Sequence, residues 1–348
     1  AEIQSLCREV GFEIPKIGAF AVGFPANCQK SANTVAMMAP WLARQQQADG
    51  SWPRPQGYTG NHYDTSWAAL ALMATGDKQF EPNIRKAAEF VAFSGKHDAW
   101  AVPSGSALLF LSEYWLRYRD DQVLPAIEVW VQRITGEMVY GDQTVGHGHN
   151  PGYRGSGVSV GGAATVVALA VTEKTPVRVP DGLVSGMLAR GQELGPSGFL
   201  PYGRMADTND FTPDLKSGGG YSGRHGPYLI ASLIHGGPKL FTKNCSAMYT
   251  QGPVGGLDQG HATQTMSLMW GIPAVANVDL DAYHQHLESL KWKLTMLRCF
   301  DGGHLHNSYR LEFQSGEFQL DFAIRTACYL IALCAERKNL AITGAPEY

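Results

Sequence analysis

The densest polar stretch of the chain is His147-Gly148-His149-Asn150-Pro151-Gly152-Tyr153-Arg154. Two imidazoles at this spacing can share a divalent metal such as zinc, with Asp142 or Asp258 to complete the ligand set. Without a metal, the same side chains supply a base, an acid and a clamp for a carboxylate. A third possibility is a packed loop whose glycines adopt positive φ. The need for a cofactor stays open. Downstream, Tyr221-Ser222-Gly223-Arg224-His225 follows three consecutive glycines, Gly218 to Gly220, and opens a helix. There Arg224, His225 and the helix dipole suit a carboxylate or sulfate, the alternative being a salt bridge beside a capping histidine. Asp258-Gln259-Gly260-His261 holds the same place before the next helix. An aspartate orienting a histidine is a common general base, although Asp258 could equally cap the helix.

These groups define two reaction classes. A lyase acting on a uronate needs Arg, Asn or His to neutralise the carboxylate and Tyr or His to remove the α-proton. A hydrolase needs two opposed carboxylates, for which Asp142, Asp210, Asp214 and Asp258 are available. The expected catalytic set is His147, His149, Tyr153, Tyr221, His225, Asp258 and His261. The expected substrate contacts are His62, Asn150, Arg154, Arg224, His304 and His306. Asp64 reads as an N-cap more than an acid. His284 and His286 read as solvated on an outer helix, and Met73, Trp115, Met266, Met269 and Trp270 as core.

Composition narrows the class of protein. Lys and Arg number 28 against 31 Asp and Glu, a formal charge of −3, and charged residues are only 17%. No basic patch favours nucleic acid, and no apolar run reaches the ~18 residues of a membrane span. Hydrophobic residues at 44% can bury a large core, which excludes disorder. Glycine is in surplus at 40 of 348 residues, where about 7% is usual. The six cysteines lack CxxC spacing; Cys328 and Cys334 read as core, and a Cys7–Cys28 disulfide is left open. The chain begins at Ala1, which leaves secreted, periplasmic and cytoplasmic locations open.

The elements that must position this chemistry are helices. Apolar periodicity marks twelve, in pairs: 31–47 with 64–76, 81–95 with 104–120, 121–136 with 157–173, 180–193 with 223–236, 240–250 with 260–276, and 280–298 with 318–336. Pro40, Pro125 and Pro273 fall inside three of them and predict kinks or later starts. First members such as NIRKAAEFVAF carry a polar stripe, whereas second members such as SWAALALMA are apolar nearly all round. Six wet-faced helices alternating with six buried ones predict an all-α protein, an (α/α)6 toroid with an inner barrel and an outer ring. A single domain over 1–348, with residues 1–30 as an irregular arm, is the expected organisation. Helices in such a ring alternate in direction, so the loops 48–63, 96–103, 137–156, 194–222, 251–259 and 299–317 must share one end. These loops hold half of the glycines; with the helix starts after them, they hold eight of the eleven histidines.

The segment Trp41-Leu42-Ala43-Arg44-Gln45-Gln46-Gln47-Ala48-Asp49-Gly50-Ser51-Trp52 resembles the QW repeat of squalene–hopene and oxidosqualene cyclases, through Gln46, Gly50 and Trp52. Tyr63-Asp64-Thr65-Ser66-Trp67-Ala68-Ala69-Leu70 resembles an inner-helix start of the same toroid superfamily, which includes protein prenyltransferase β subunits. Phe300-Asp301-Gly302-Gly303 is a diluted echo. The stretches 146–157 and 261–274 are similar to a bacterial toroid family catalogued as prenyltransferase/squalene-oxidase repeat proteins. The resemblance implies architecture, with the QW glutamine and tryptophan tying loop to helix. It does not imply chemistry: the DxDD acid of class II cyclases and the DDxxD motif of class I synthases are absent, and the zinc-binding Asp-x-Cys element of the prenyltransferases finds no counterpart. The expected function is an enzyme acting on a polar carbohydrate, acidic ones included, as lyase or hydrolase, in a cleft of the Gly/His-rich loops. The alternatives are an isoprenoid handled inside the barrel and a non-catalytic binding domain. A small molecule or glycan is the expected partner, with no nucleic acid and no transmembrane segment.

Overall fold

The structure is a computed structural model that describes residues 28–52, 61–95, 100–137, 139, 141, 143–145, 160–198, 200, 222–251, 264–299, 301–304 and 322–346. Twelve α-helices lie among them: α1 (Gln29–Arg44), α2 (His62–Thr75), α3 (Glu81–Phe93), α4 (Ala101–Tyr118), α5 (Leu124–Glu137), α6 (Val160–Thr172), α7 (Leu183–Leu194), α8 (Ser222–His235), α9 (Lys239–Gln251), α10 (Gln264–Val278), α11 (Leu280–Met296) and α12 (Phe322–Cys334). The described residues form no strand, only the isolated bridges Val139 to Val145 and Arg298 to His304.

The even-numbered helices close a ring. α2 packs on α4, α4 on α6, α6 on α8, α8 on α10, α10 on α12, and α12 on α2 again. Each of α1, α3, α5, α7 and α9 rests on two consecutive members of this ring, and α11 rests on α10. The sequence explains the division. Every residue of α2 is buried, so it has no face to give to water. α3 buries only Ile84, Ala87, Ala88 and Val91, the i, i+3, i+4, i+7 spacing of one apolar stripe. Small residues let the inner helices approach closely: a Cβ on Gly105 of α4 would lie 3.0 Å from the Ala164 backbone of α6, and one on Gly226 of α8 would lie 2.7 Å from the Trp270 carbonyl oxygen of α10. This is the expected all-α toroid, and its twelve helices match the expected pairs.

One expectation at a helix start is corrected and another, the later start at Pro125, is met. α2 begins at His62 after Asn61, so Asp64 is not its cap but a fully buried first-turn residue, placed where the helix dipole favours an anion. Pro125 sits in the first turn of α5, where no N–H is needed, and residues Asp121–Val123 form a separate 3₁₀ turn before it. Pro40 and Pro273 do lie inside α1 and α10.

Inside the ring, Trp67 of α2 and Trp270 of α10 meet edge to face, with ring centroids 4.8 Å apart and both side chains fully buried. The two helices are both neighbours of α12, not of each other, so the rings reach across the barrel. Trp67 also donates through Nε1 to Ser106 Oγ of α4 at 3.0 Å. The end of the barrel at the inner-helix C-termini is stoppered by the chain after α12. Arg337 donates to the Thr75 carbonyl at 2.9 Å and Asn339 to that of Ala74 at 3.0 Å, occupying unsatisfied acceptors at the end of α2. Leu340 and Ile342 are fully buried, and Asn277 at the end of α10 donates to the Ile342 carbonyl at 2.8 Å. The fully buried Glu113 of α4 accepts the N–H of Ala341 at 2.8 Å and of Ile342 at 2.9 Å. The barrel therefore holds Trp67 and Trp270 in its interior and is closed at one end.

Candidate active site at the inner-helix N-termini

The opposite end carries all six connections from an outer to an inner helix. One turn recurs there. After α1, Gly50 (φ +90°) is followed two residues on by the buried Trp52, whose N–H donates to Thr65 Oγ1 of α2 at 3.0 Å. After α11, Gly302 (φ +105°) precedes the buried His304, whose N–H donates to Thr326 Oγ1 of α12 at 3.0 Å. After α7, Gly198 (φ +86°) precedes the buried Leu200, whose N–H donates to His225 Nε2 of α8 at 2.5 Å. After α5, Gln143 takes the left-handed position (φ +60°) and Val145 the buried one. Glycine is required at three of these four sites for more than φ. A Cβ on Gly50 would stand 2.3 Å from the Lys86 carbonyl oxygen of α3, one on Gly198 2.6 Å from Asn244 of α9, and one on Gly302 2.5 Å from the Met37 carbonyl oxygen of α1. Each turn thus clamps the following outer helix, and the last clamps the first.

The QW-like residues act as expected within this turn. Gln46 donates to the carbonyls of Gly50 (2.9 Å) and Asn83 (2.8 Å), and Trp52 Nε1 donates to the Leu42 carbonyl at 2.8 Å. Asp49 accepts the Ser51 N–H at 3.0 Å, and its echo Asp301 accepts the Gly303 N–H at 3.1 Å and Trp41 Nε1 at 3.0 Å.

This repeat accounts for two of the expected site histidines. His304 occupies the register of Trp52, fully buried against Tyr329 (centroids 5.3 Å), and burial lowers its pKa to about 4. His225 occupies the register of Thr65 and Thr326 and replaces their hydroxyl as the acceptor of a loop N–H. Burial first, then the neighbouring Arg224 guanidinium, holds its pKa well below the ordinary value, so the ring is neutral with its proton on Nδ1. Arg224 is itself buried and donates through Nε to the Leu200 carbonyl at 3.1 Å. Both groups of Leu200 are therefore held by one Arg-His step of α8. His62 is buried too, bonded to Ser94 Oγ at 2.9 Å, with its ring against Phe90 and Trp130. The structure brings Arg224 and His225 together and sets His62 and His304 apart, in the layer between inner and outer helices. His147, His149, Asn150, Tyr153, Arg154, Tyr221, Asp258, His261 and His306 lie outside the described residues, in the same six connections. So do Asp142, Asp210, Asp214 and Cys7. Among the described residues no group of three or more His, Cys, Asp or Glu is placed to hold a metal. No helix there is long and apolar enough to cross a membrane.

His284 and His286, expected in solvent, differ. His284 is partly exposed and pairs with Glu336 at 2.8 Å. His286 is buried and meets the Tyr249 carbonyl at 2.6 Å, a bond that the α9–α11 contact makes and that single-helix periodicity could not reveal. Met73, Trp115, Met269 and Trp270 are core, as are Cys328 and Cys334.

The register equivalence yields an expected result. His225→Thr, which restores the hydroxyl acceptor of the other two turns, should unfold within about 1 kcal/mol of the native chain. His225→Ala leaves the Leu200 N–H buried without an acceptor and should lose about 1–3 kcal/mol. Urea unfolding of the two variants checks this.

Known proteins share this arrangement of helices. A GH76A α-1,6-mannanase from Salegentibacter sp. HEL1_6 superposes with a TM-score of 0.64 at 10% identity, covering 88% of this chain and 99% of that one. A possible member of the GH105 family from Salmonella enterica subsp. enterica serovar Paratyphi A superposes with a TM-score of 0.58 at 14% identity, covering 87% and 93%. An unsaturated glucuronyl hydrolase responsible for the degradation of glycosaminoglycan, from Bacillus sp. GL1, gives 0.56 at 11% identity, covering 88% and 95%. At such identities the likeness is one of fold. No curated protein matches the chain by sequence. A family model does: residues 31–344 match the family described as a domain of unknown function, DUF6288, and the chain belongs to that family.

Proposed function

We propose that the protein is a glycan-degrading enzyme, a hydrolase or lyase, whose site is built by the six connections above the inner-helix N-termini. The observation that carries this reading is the shape of the barrel. Its interior is occupied by Trp67 and Trp270 and its other end by Leu340 and Ile342. What remains is the face where six helix N-termini converge and where most of the histidines enter the fold. Six N-termini favour negative charge, developing or fixed, as on a uronate carboxylate or a leaving glycosidic oxygen. The mannanase and the glucuronyl hydrolase, whose fold this is, act on glycans.

In this reading His261, oriented by Asp258, moves the proton, with His147, His149, Tyr153 and Tyr221 as the other acid and base candidates. Asn150, Arg154 and His306 hold the sugar. Arg224 and His225 keep the Leu200 turn in place and act on the site through it. The cyclase and prenyltransferase likeness resides in Gln46, Gly50 and Trp52, which are structural here, and Trp67 and Trp270 occupy barrel space that an isoprenoid would need. The test is product analysis on neutral and uronate-bearing polysaccharides. Hydrolysis releases new reducing ends only; a lyase also leaves an unsaturated uronate. Absence of either product from every polymer would overturn the proposal.

A further inference from the structure

On the outer wall beside the first of these connections, a groove of about 620 Å³ runs along α3, lined by Asp49, Glu89, Phe90, Phe93, Ser94 and Gln122. We propose that this groove is a second sugar-binding site, which takes a neutral, hydroxyl-rich glycan chain on the Phe93 ring. The proposal takes its ligand class from the glycan reading above.

Phe93 ends α3 with 59% of its surface in water, while Ile84, Ala87, Ala88 and Val91 of the same helix are turned inward. An exposed ring beside polar groups is the combination that binds a pyranose: C–H bonds lie on the π-face and hydroxyls reach the surrounding acceptors. Those acceptors are present. Glu89 and Gln122 are exposed, and neither side chain makes a hydrogen bond among the described residues. Asp49 is aimed by the Ser51 N–H and by Ser51 Oγ at 2.7 Å. No lysine or arginine is among the lining residues, and two carboxylates are, so an acidic polymer is repelled and a neutral one is not.

The wall is also backed by packed side chains. Phe90 packs at 5.4 Å on His62, which Ser94 holds by a hydrogen bond and Trp130 backs edge-on at 5.7 Å. A pre-set wall lowers the ordering cost of binding. Since α3 ends at the same face as the catalytic connections, a chain held on Phe93 lies at the edge of that face.

Native electrophoresis through gels containing a neutral mannan, a neutral β-glucan or polygalacturonate tests this. At least one neutral polymer should retard the wild-type protein and polygalacturonate should not. Phe93→Ala should weaken that retention roughly 3- to 10-fold, the worth of one aromatic contact, and Phe93→Trp should preserve it. Phe93 is largely solvent-exposed, so both variants should unfold like the wild type. Undiminished retention of Phe93→Ala, or no retention by either neutral polymer, would overturn the groove proposal. If the wild type still cleaves a glycan, the active-site reading survives that result. Phe93-dependent retention without cleavage of any polymer would preserve the groove and overturn the active site.

Discussion

Replacing Glu113 with alanine is expected to cost about 3–5 kcal/mol of unfolding free energy, enough to unfold many domains of ordinary stability. Its two carboxylate oxygens take the N–H groups that start the 3₁₀ turn Ala341–Thr343, of which Ile342 is fully buried and Ala341 partly so. Removing the acceptor leaves the buried Ile342 donor unsatisfied, at about 1–3 kcal/mol, weakens the partly buried Ala341 donor, and opens a cavity besides. Denaturant unfolding followed by circular dichroism measures the loss. The same residue carries a pH signature. Burial pushes the Glu113 carboxyl up to about 7, against the pull of the two N–H groups and Arg117. A carboxyl raised in the fold contributes stability below its ordinary value of 4.5, and that contribution is lost as pH rises through about 7. Buried His225, His286 and His304 are lowered in the fold and act in the opposite sense, losing stability as pH falls. The Glu113 contribution is therefore read as a difference: Glu113→Gln should gain about 3 kcal/mol relative to wild type between pH 4.5 and pH 7.

The largest effects on catalysis are expected from the Asp258–His261 step. His261→Ala and Asp258→Asn should each lower kcat/KM on the cleaved glycan by about 10²–10⁴, the usual worth of a general acid–base group. Neither should shift the unfolding midpoint appreciably. His225→Ala should do the reverse, losing stability first and activity only as the Leu200 turn loosens. Steady-state kinetics and thermal unfolding on the same preparations separate the two classes. Equal losses of stability for all three would remove Asp258 and His261 from the catalytic role.

The fold was legible because its signal is repeated. Six stretches apolar on all sides, such as Trp67 to Ala74, alternate with six of one-sided stripe, such as Ile84 to Val91, and only a two-layered ring buries both. The QW-like turn was legible at Gly50-Ser51-Trp52 and at Asp301-Gly302-Gly303. It was not legible at Gly198 to Leu200 or at Gln143 to Val145. There the glutamine and tryptophan are gone, and only a left-handed backbone followed by a buried side chain remains. The same loss of sequence signal explains the histidines. A histidine beside glycines in a loop is chemically indistinguishable from a ligand until its register is known. His304 and His225 prove to fill the places of Trp52 and Thr65, which three-dimensional equivalence reveals and linear spacing does not. Glu113 and the groove on α3 escaped notice because each is made by segments far apart in the chain. The carboxylate meets residues 228 and 229 positions away.

The most direct measurement of the central claim is hydrogen–deuterium exchange with and without an oligosaccharide cut from the cleaved polymer, using the slow His261→Ala variant. Added protection is expected at Gly195 to Leu200 and Arg298 to His304, turns at the inner-helix N-termini that do not line the α3 groove. None is expected at Ala335 to Thr343. Protection confined to that closed end, or to the Trp67 and Trp270 segments inside the barrel, would contradict the claim.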